Sequence, residues 1–123
     1  MNIILVFIGG GLGSILRYLT SFLFSNIKFA QVPIGTLSVN VVASLILGIC
    51  FALFQSKINL SPSLKLAITC GFCGGLSTFS TFAFESLQLV EMGSILQALF
   101  YALVNVFLCV LAVYLGTLLG KNF

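Results

Sequence analysis

A chain of 123 residues in which 60% are hydrophobic and 6% charged, with a mean hydropathy of +1.27, is not an ordinary water-soluble domain, because soluble domains carry about a quarter charged residues. Its ionisable inventory is five Lys or Arg and two Glu, with no His and no Asp, which excludes a Ser-His-Asp triad, a His-rich zinc site, an EF-hand and most enzymes besides. The net charge of +3 is scattered along the chain, so no basic stripe for nucleic acid can be assembled from it.

Residues 3–24 are apolar apart from Arg17 and a few small polar side chains. A spanning helix needs about 20 apolar residues, so this is the first of four expected membrane spans. It has no basic leading region and is rich in glycine, which argues against a cleaved secretory signal. Its glycines also lack the Gly-Lys-Ser/Thr ending of a phosphate loop. Gly10, Gly13, Arg17 and Ser21 recur at three- and four-residue steps and so share one helix face. A second span is expected over residues 33–54, inside the uncharged run between Lys28 and Lys57. Along it Thr36, Asn40, Ser44 and Gly48 recur at i+4.

The third span, residues 63–90, carries Cys70-Gly71-Phe72-Cys73-Gly74-Gly75-Leu76-Ser77-Thr78-Phe79-Ser80-Thr81-Phe82 in its middle. A lipid-facing helix has no use for so many glycines and hydroxyls. Gly74-Gly75 lowers helix propensity and the Ser/Thr cluster competes for backbone hydrogen bonds, so a broken helix is expected here. Non-helical backbone at membrane depth is tolerated only where protein or a water-filled cavity surrounds it. Freed carbonyls there suit a cation, and freed N–H groups suit an anion. The repeat Ser77-Thr78-Phe79, Ser80-Thr81-Phe82 places two rings at i and i+3, either as core packing or as positive ring edges turned towards an anion. Cys70 and Cys73 form a C-x-x-C without any other soft-ligand pair, and Cys50 and Cys109 read as small packing residues. Glu85 reads as a vestibule group, a proton-coupling site or a helix-end charge.

The fourth span, residues 94–119, lies in the uncharged run between Glu91 and Lys121. Ala98, Ala102, Asn105, Cys109, Ala112, Gly116 and Gly120 form its stripe. Small residues in such stripes mark helix packing. Asn40, Asn105 and Arg17 are stronger polar groups, of the kind that faces a cavity, a partner or a permeation path. The connections are too short for a soluble domain, so residues 1–123 are expected to form a single four-helix membrane domain. With the N-terminus inside, Lys57, Lys65 and Lys121 oppose Lys28 and Arg17. That balance leaves open both a single fixed topology and insertion in two orientations, which would permit an antiparallel homodimer. Four such helices leave little interior for a solute, so transport would require an oligomer.

Three blocks, Gly9-Gly10-x-x-Gly13-Ser14-x-x-Arg17-Tyr18, Gly35-Thr36-x-x-x-Asn40 and the segment from Gly71 to Phe82, resemble the signature blocks of the Fluc (CrcB) fluoride channels. The resemblance runs through all four spans in order, and the third block is the specific one. It implies an all-α integral membrane protein of the bacterial inner membrane, with four spans, the third broken near its middle. It further implies an antiparallel, dual-topology homodimer whose two pores export cytoplasmic fluoride passively. By the same resemblance Phe79 and Phe82 are the aromatic pair lining the pores, Asn40 is the pore amide, and Thr36 and Glu85 are polar groups near the vestibule. Ser80, Thr81 and Tyr101 are further hydrogen-bonding positions on the ion path, and Asn105 continues the fourth-span track. The carbonyls of Gly74 and Ser77 would hold a structural sodium ion at the dimer centre, with no organic cofactor. Two departures stand out: Ser77 where relatives usually have Thr, and Asn105 and Cys109 where they tend to carry Ser or Thr.

Elementary electrostatics supports a neutral conduit. Burying a bare small ion costs on the order of 20 kcal/mol before compensation. Many uncharged donors can offset that cost while still letting the ion leave. Two other classes stay in view. A proton-coupled small multidrug exporter would want a carboxylate in the first span, which this chain lacks. A non-transporting membrane assembly subunit would use its polar stripes for packing alone.

Overall fold

The computed structural model describes residues 2–29, 32–56 and 59–122, so the expected boundary charge Lys57 lies outside the described residues. Four helical stretches are long and apolar enough to cross a membrane. The first is α1 (Asn2–Leu23), which leads through a two-residue antiparallel ribbon, β1 (Lys28–Phe29) and β2 (Val32–Pro33), into α2 (Ile34–Ser56). The ribbon was not legible in the sequence; it turns the chain between two antiparallel helices in very few residues. The third stretch is composite: α3 (Pro62–Leu66), a π-helical segment over Ala67–Cys73, α4 (Gly74–Leu76) and α5 (Phe79–Glu91). The last is α6 (Ile95–Asn122), which continues past the expected end at Leu119.

Local chemistry sets the ends of these elements. Pro62 occupies the first turn of α3, where its missing N–H costs nothing, and the Ser61 hydroxyl accepts from Leu64 N–H. At the other end of the third span the chain reverses on Gly93, whose φ of 76° is readily available only to glycine. There Ser94 N–H bonds the Leu89 carbonyl and Gly93 N–H bonds that of Val90, a Schellman arrangement that satisfies the last carbonyls of α5.

Two tight helix contacts organise the chain. α1 lies against the π-helical segment and α4, while α2 lies along α6 and α5 packs on α6. The glycines of the sequence stripes permit the approach. A Cβ on Gly48 of α2 would stand 2.3 Å from the Val113 carbonyl oxygen, and one on Gly116 of α6 would stand 2.3 Å from that of Leu45. In a bilayer, helices gain little from hydrophobicity and associate through such close backbone packing. Gly48→Val is therefore expected to destabilise the fold by about 3 kcal/mol, because backbone rather than a flexible side chain must yield. Loss of a monodisperse peak and a lower melting temperature in detergent would register it; unchanged melting would refute the contact.

Burial follows the stripes on α2 and α6, whereas on α1 Gly13 is buried and Ser21 exposed. Thr36, Val39, Asn40 and Ala43 are buried on α2, and Ala98, Tyr101, Asn105, Ala112, Gly116 and Gly120 on α6. Ala102, Cys109 and Ser44, also in the stripes, are only half-buried. Leu96, Leu103, Val106 and Val110 point outwards from α6, as a lipid-facing surface requires.

Candidate functional site

The helix break falls at Ser77–Thr78, both in extended conformation (φ −78°, ψ 158° and φ −152°, ψ 119°). Of the two causes expected, the Ser/Thr cluster is where the chain breaks, while the glycines remain helical; Gly74 has φ −66° and ψ −35°. Gly75 serves close packing instead, since a Cβ there would meet the Gly10 carbonyl oxygen at 2.5 Å. A clamp from another helix holds the broken segment. The Asn40 Oδ1 of α2 accepts from Thr78 N–H at 2.7 Å, and Asn40 Nδ2 donates to the Thr78 carbonyl at 3.2 Å. The Thr78 hydroxyl then caps α5 by accepting from Thr81 N–H at 3.2 Å.

Both substitutions of partner free carbonyls. In an uninterrupted helix Thr78 N–H would bond the Gly74 carbonyl and Thr81 N–H that of Ser77; here Asn40 and the Thr78 hydroxyl have taken those donors. Arg17, from α1, donates to the Ser77 carbonyl at 3.3 Å, so this charged residue is an interhelical anchor. A carbonyl oxygen has a second lone pair. Gly74 and Ser77 also line a recess of about 150 Å³, with Ala43, Ser44, Leu47, Thr69 and Cys73. Gly74 and Ser77 are the residues that could offer backbone oxygens to a cation here, the Ser77 carbonyl while already accepting from Arg17.

A second polar cluster lies one turn further along. Glu85 on α5 accepts from the Thr36 hydroxyl through Oε1 at 2.8 Å and from the Tyr101 hydroxyl through Oε2 at 2.7 Å. Thus α2, α5 and α6 meet on one carboxyl group. Thr36, Thr81 and Glu85 border a cavity of about 300 Å³ together with Ser21, Ser25 and Gln88. Tyr101 is fully buried, and its ring lies 5.1 Å from that of Phe82. Phe82 in turn lies 5.5 Å from Phe79, tilted by 51°. Phe79 itself is 78% exposed on the single chain.

Asn105 joins the clamp to the α6 track. Its Oδ1 accepts from Asn40 Nδ2 at 3.3 Å and from the Cys109 thiol at 3.6 Å. The seam therefore runs from the cavity at Thr36 and Glu85, past Tyr101 and Phe82, to Asn40 and Asn105. Ser80 and Thr81 stand beside it through the Thr78 hydroxyl, at 3.3 Å and 3.0 Å between side-chain oxygens.

The chain as a whole is similar to known proteins. The family described as CrcB-like protein, Camphor Resistance (CrcB), matches residues 4–117. The chain is 44% identical over 115 residues to a protein of Shewanella pealeana named Fluoride-specific ion channel FluC, covering 94% of this chain and 92% of that one. A relative in Yersinia pseudotuberculosis, Fluoride-specific ion channel FluC 1, is 44% identical over 122 residues, 99% of this chain and 95% of its own length. One in Bacteroides fragilis, again named Fluoride-specific ion channel FluC, is 42% identical over 125 residues, 99% and 98%. The chain belongs to the CrcB family. The resemblance read from the three blocks, which runs through all four spans, is borne out, and the CrcB match covers residues 4–117.

Within this CrcB chain the structure brings Thr36, Asn40, Phe82, Glu85, Tyr101 and Asn105 together, with Ser80 and Thr81 at the edge and Phe79 outward. Sequence reasoning missed the part played by Thr78, which is buried and supplies the backbone for the clamp and the hydroxyl for the cap. The signal was available: a Thr immediately ahead of a new apolar helical run is a helix N-cap. The C-x-x-C pair splits, with Cys70 exposed and Cys73 buried.

Proposed function

We propose that this protein is a fluoride-selective channel of the bacterial inner membrane, passively exporting cytoplasmic fluoride. The observation that carries the reading is the polar seam, free of basic side chains and with Glu85 at its cavity end, in which hydroxyls, amides and aromatic rings from α2, α5 and α6 converge beside an interrupted helix. The relatives named as fluoride channels support the choice of ion. Thr36, Glu85 and Tyr101 form the vestibule end, where Glu85 holds both hydroxyls in fixed orientation. Phe79 and Phe82 turn ring edges to the ion, and Asn40, Ser80, Thr81 and Asn105 complete the path. No fixed positive charge lies on that seam, so an ion stripped of water is held weakly enough to leave.

The working unit is an antiparallel homodimer with two pores. Support comes from Phe79, which is 78% exposed, from the open recess beside the break, and from the even balance of boundary charges. Broken backbone at membrane depth requires a protein cover, and a second copy of this chain supplies one. The Gly74 and Ser77 carbonyls of both copies would hold a sodium ion at the centre, where it would neutralise carbonyl dipoles that lack a helical partner.

Purified protein in liposomes, followed with a fluoride electrode, tests the reading. A fluoride gradient should collapse far faster than in empty vesicles and a chloride gradient should persist. Fluoride release no faster than from empty vesicles would falsify it.

A further inference from the structure

The hydrogens around Glu85 run one way. Thr36 donates to Oε1 at 2.8 Å and Tyr101 to Oε2 at 2.7 Å. Asn40 donates to Asn105 Oδ1 at 3.3 Å, and the Asn105 amide lies in reach of the Tyr101 hydroxyl oxygen. The relay through α2 and α6 therefore delivers hydrogens towards the carboxyl group and takes none from it. A carboxyl group that accepts through both oxygens is ionised, because a protonated acid makes one of its oxygens a donor. Glu85 is half-buried, and no Lys or Arg lines the cavity it borders. A carboxylate drawn out of water without a counter-charge is costly.

The cavity has the chemistry to hold that counter-charge. Its volume is about 300 Å³, room for an ion that keeps several waters. Thr36 gives its hydrogen to Glu85, and Ser25 gives its own to the Phe22 carbonyl at 2.9 Å, so both hydroxyls are left with lone pairs to offer. The Gln88 amide and the Ser21 hydroxyl add further oxygens to the lining. A carboxylate has about four lone-pair sites, so Glu85 keeps free ones after Thr36 and Tyr101 are bound. An anion in this place would face a negative charge and lone pairs. A hard cation would meet the oxygen donors it prefers. The charge to be matched is a single one, and no group of three His, Cys, Asp or Glu exists among the described residues, which favours an alkali ion over zinc or calcium.

We propose that this cavity binds a partly hydrated sodium ion, held by the Glu85 carboxylate together with the Thr36 and Gln88 side-chain oxygens. The cavity shares no lining residue with the recess at Gly74 and Ser77, so this is a separate cation site. Glu85 thereby orients both hydroxyls without presenting a bare negative charge to whatever enters. On the ion path the cation removes the repulsion that fluoride would meet at the carboxylate. That consequence rests on the fluoride-channel reading; the existence of the site does not.

The thallous ion, an electron-rich substitute for alkali cations, locates the site in crystals of the full-length protein grown with thallous acetate in place of sodium salts. Anomalous density is expected beside the Glu85 carboxylate, and Glu85→Gln should lose it. Density confined to the break at Gly74 and Ser77, no density at all, or the same density in Glu85→Gln overturns the proposal. In detergent, the melting temperature of the unmodified protein should rise by several degrees as sodium chloride replaces N-methyl-D-glucamine chloride at constant ionic strength, because a ligand of the folded state stabilises it. Glu85→Gln should lose most of that rise. Gln88→Leu leaves the bonds of Thr36 and Tyr101 to Glu85 in place and should need more sodium for the same rise. An equal rise in Glu85→Gln, or a melting temperature that follows pH and ignores sodium, would show that no alkali ion neutralises Glu85. Fluoride release from vesicles keeps the two readings apart. Release without a cation at Glu85 removes the site and leaves the channel; thallous density without release leaves the site and removes the channel.

Discussion

Replacing Phe82 by Ile is expected to reduce fluoride release from liposomes by about tenfold or more, with Phe82→Met behaving alike. The ring lies between Phe79 at 5.5 Å and Tyr101 at 5.1 Å, so it links the exposed ring to the buried hydroxyl that Glu85 holds. Its positive edge is the one feature of the side chain that aliphatic residues cannot copy. Edge-on aromatic interactions contribute about 0.5–1.5 kcal/mol beyond burial, and about 1.4 kcal/mol corresponds to a factor of ten. The smaller side chain also leaves a gap against Tyr101, so the melting temperature should be measured alongside. A variant that melts lower yet releases fluoride at the original rate would show that the ring is there for packing alone. Phe79→Ile offers the complementary measurement. Phe79 is 78% exposed on the single chain, so its loss should leave the single-chain fold nearly untouched while throughput drops.

Asn40→Leu is expected to be among the most destabilising single changes in the protein, by about 3 kcal/mol or more. The side chain is nearly isosteric, so no steric argument intervenes. What is lost is the clamp on Thr78: an N–H bond at 2.7 Å, a carbonyl bond at 3.2 Å and the bond at 3.3 Å that orients Asn105. Each buried group left unsatisfied costs about 1–3 kcal/mol. Freed of the clamp, Thr78 N–H can return to the Gly74 carbonyl, and α4 can run on towards α5. Melting in detergent measures the stability, and hydrogen exchange at Thr78 measures the local change. Faster exchange there than in the unmodified protein would mean that the break is intrinsic to its own sequence and persists without Asn40, whereas protection kept through the Gly74 carbonyl, with the stability lost, would show that Asn40 holds the break open.

That contrast bears on which parts of the molecule the amino-acid order discloses. The four spans were legible because charge is so scarce that each Lys or Glu marks a boundary, and because about 20 apolar residues have only one stable form in a bilayer. The inward faces were legible too: Thr36 and Asn40 on one helix, and Tyr101 and Asn105 on another, follow helical periodicity and are buried. The third span was recognisable as abnormal from composition alone. Its break was expected from Gly74-Gly75 and the Ser/Thr cluster together and occurs at Ser77–Thr78, within the cluster; the glycines stay helical, and the clamp on Thr78 comes from a residue 38 positions away.

Sequence alone therefore determined the class of protein, the number of crossings, the helix faces turned inwards and the family. Periodicity and hydropathy act within a single helix, where neighbours in sequence are neighbours in space. Only the tertiary structure decided that Gly75 serves the approach of α1, that Thr78 rather than Gly74 is the hinge, and that the Asn40 amide is committed to Thr78 and Asn105. Those outcomes depend on how a limited number of donors and acceptors from different helices share one another, and such sharing has no signature until the helices are side by side.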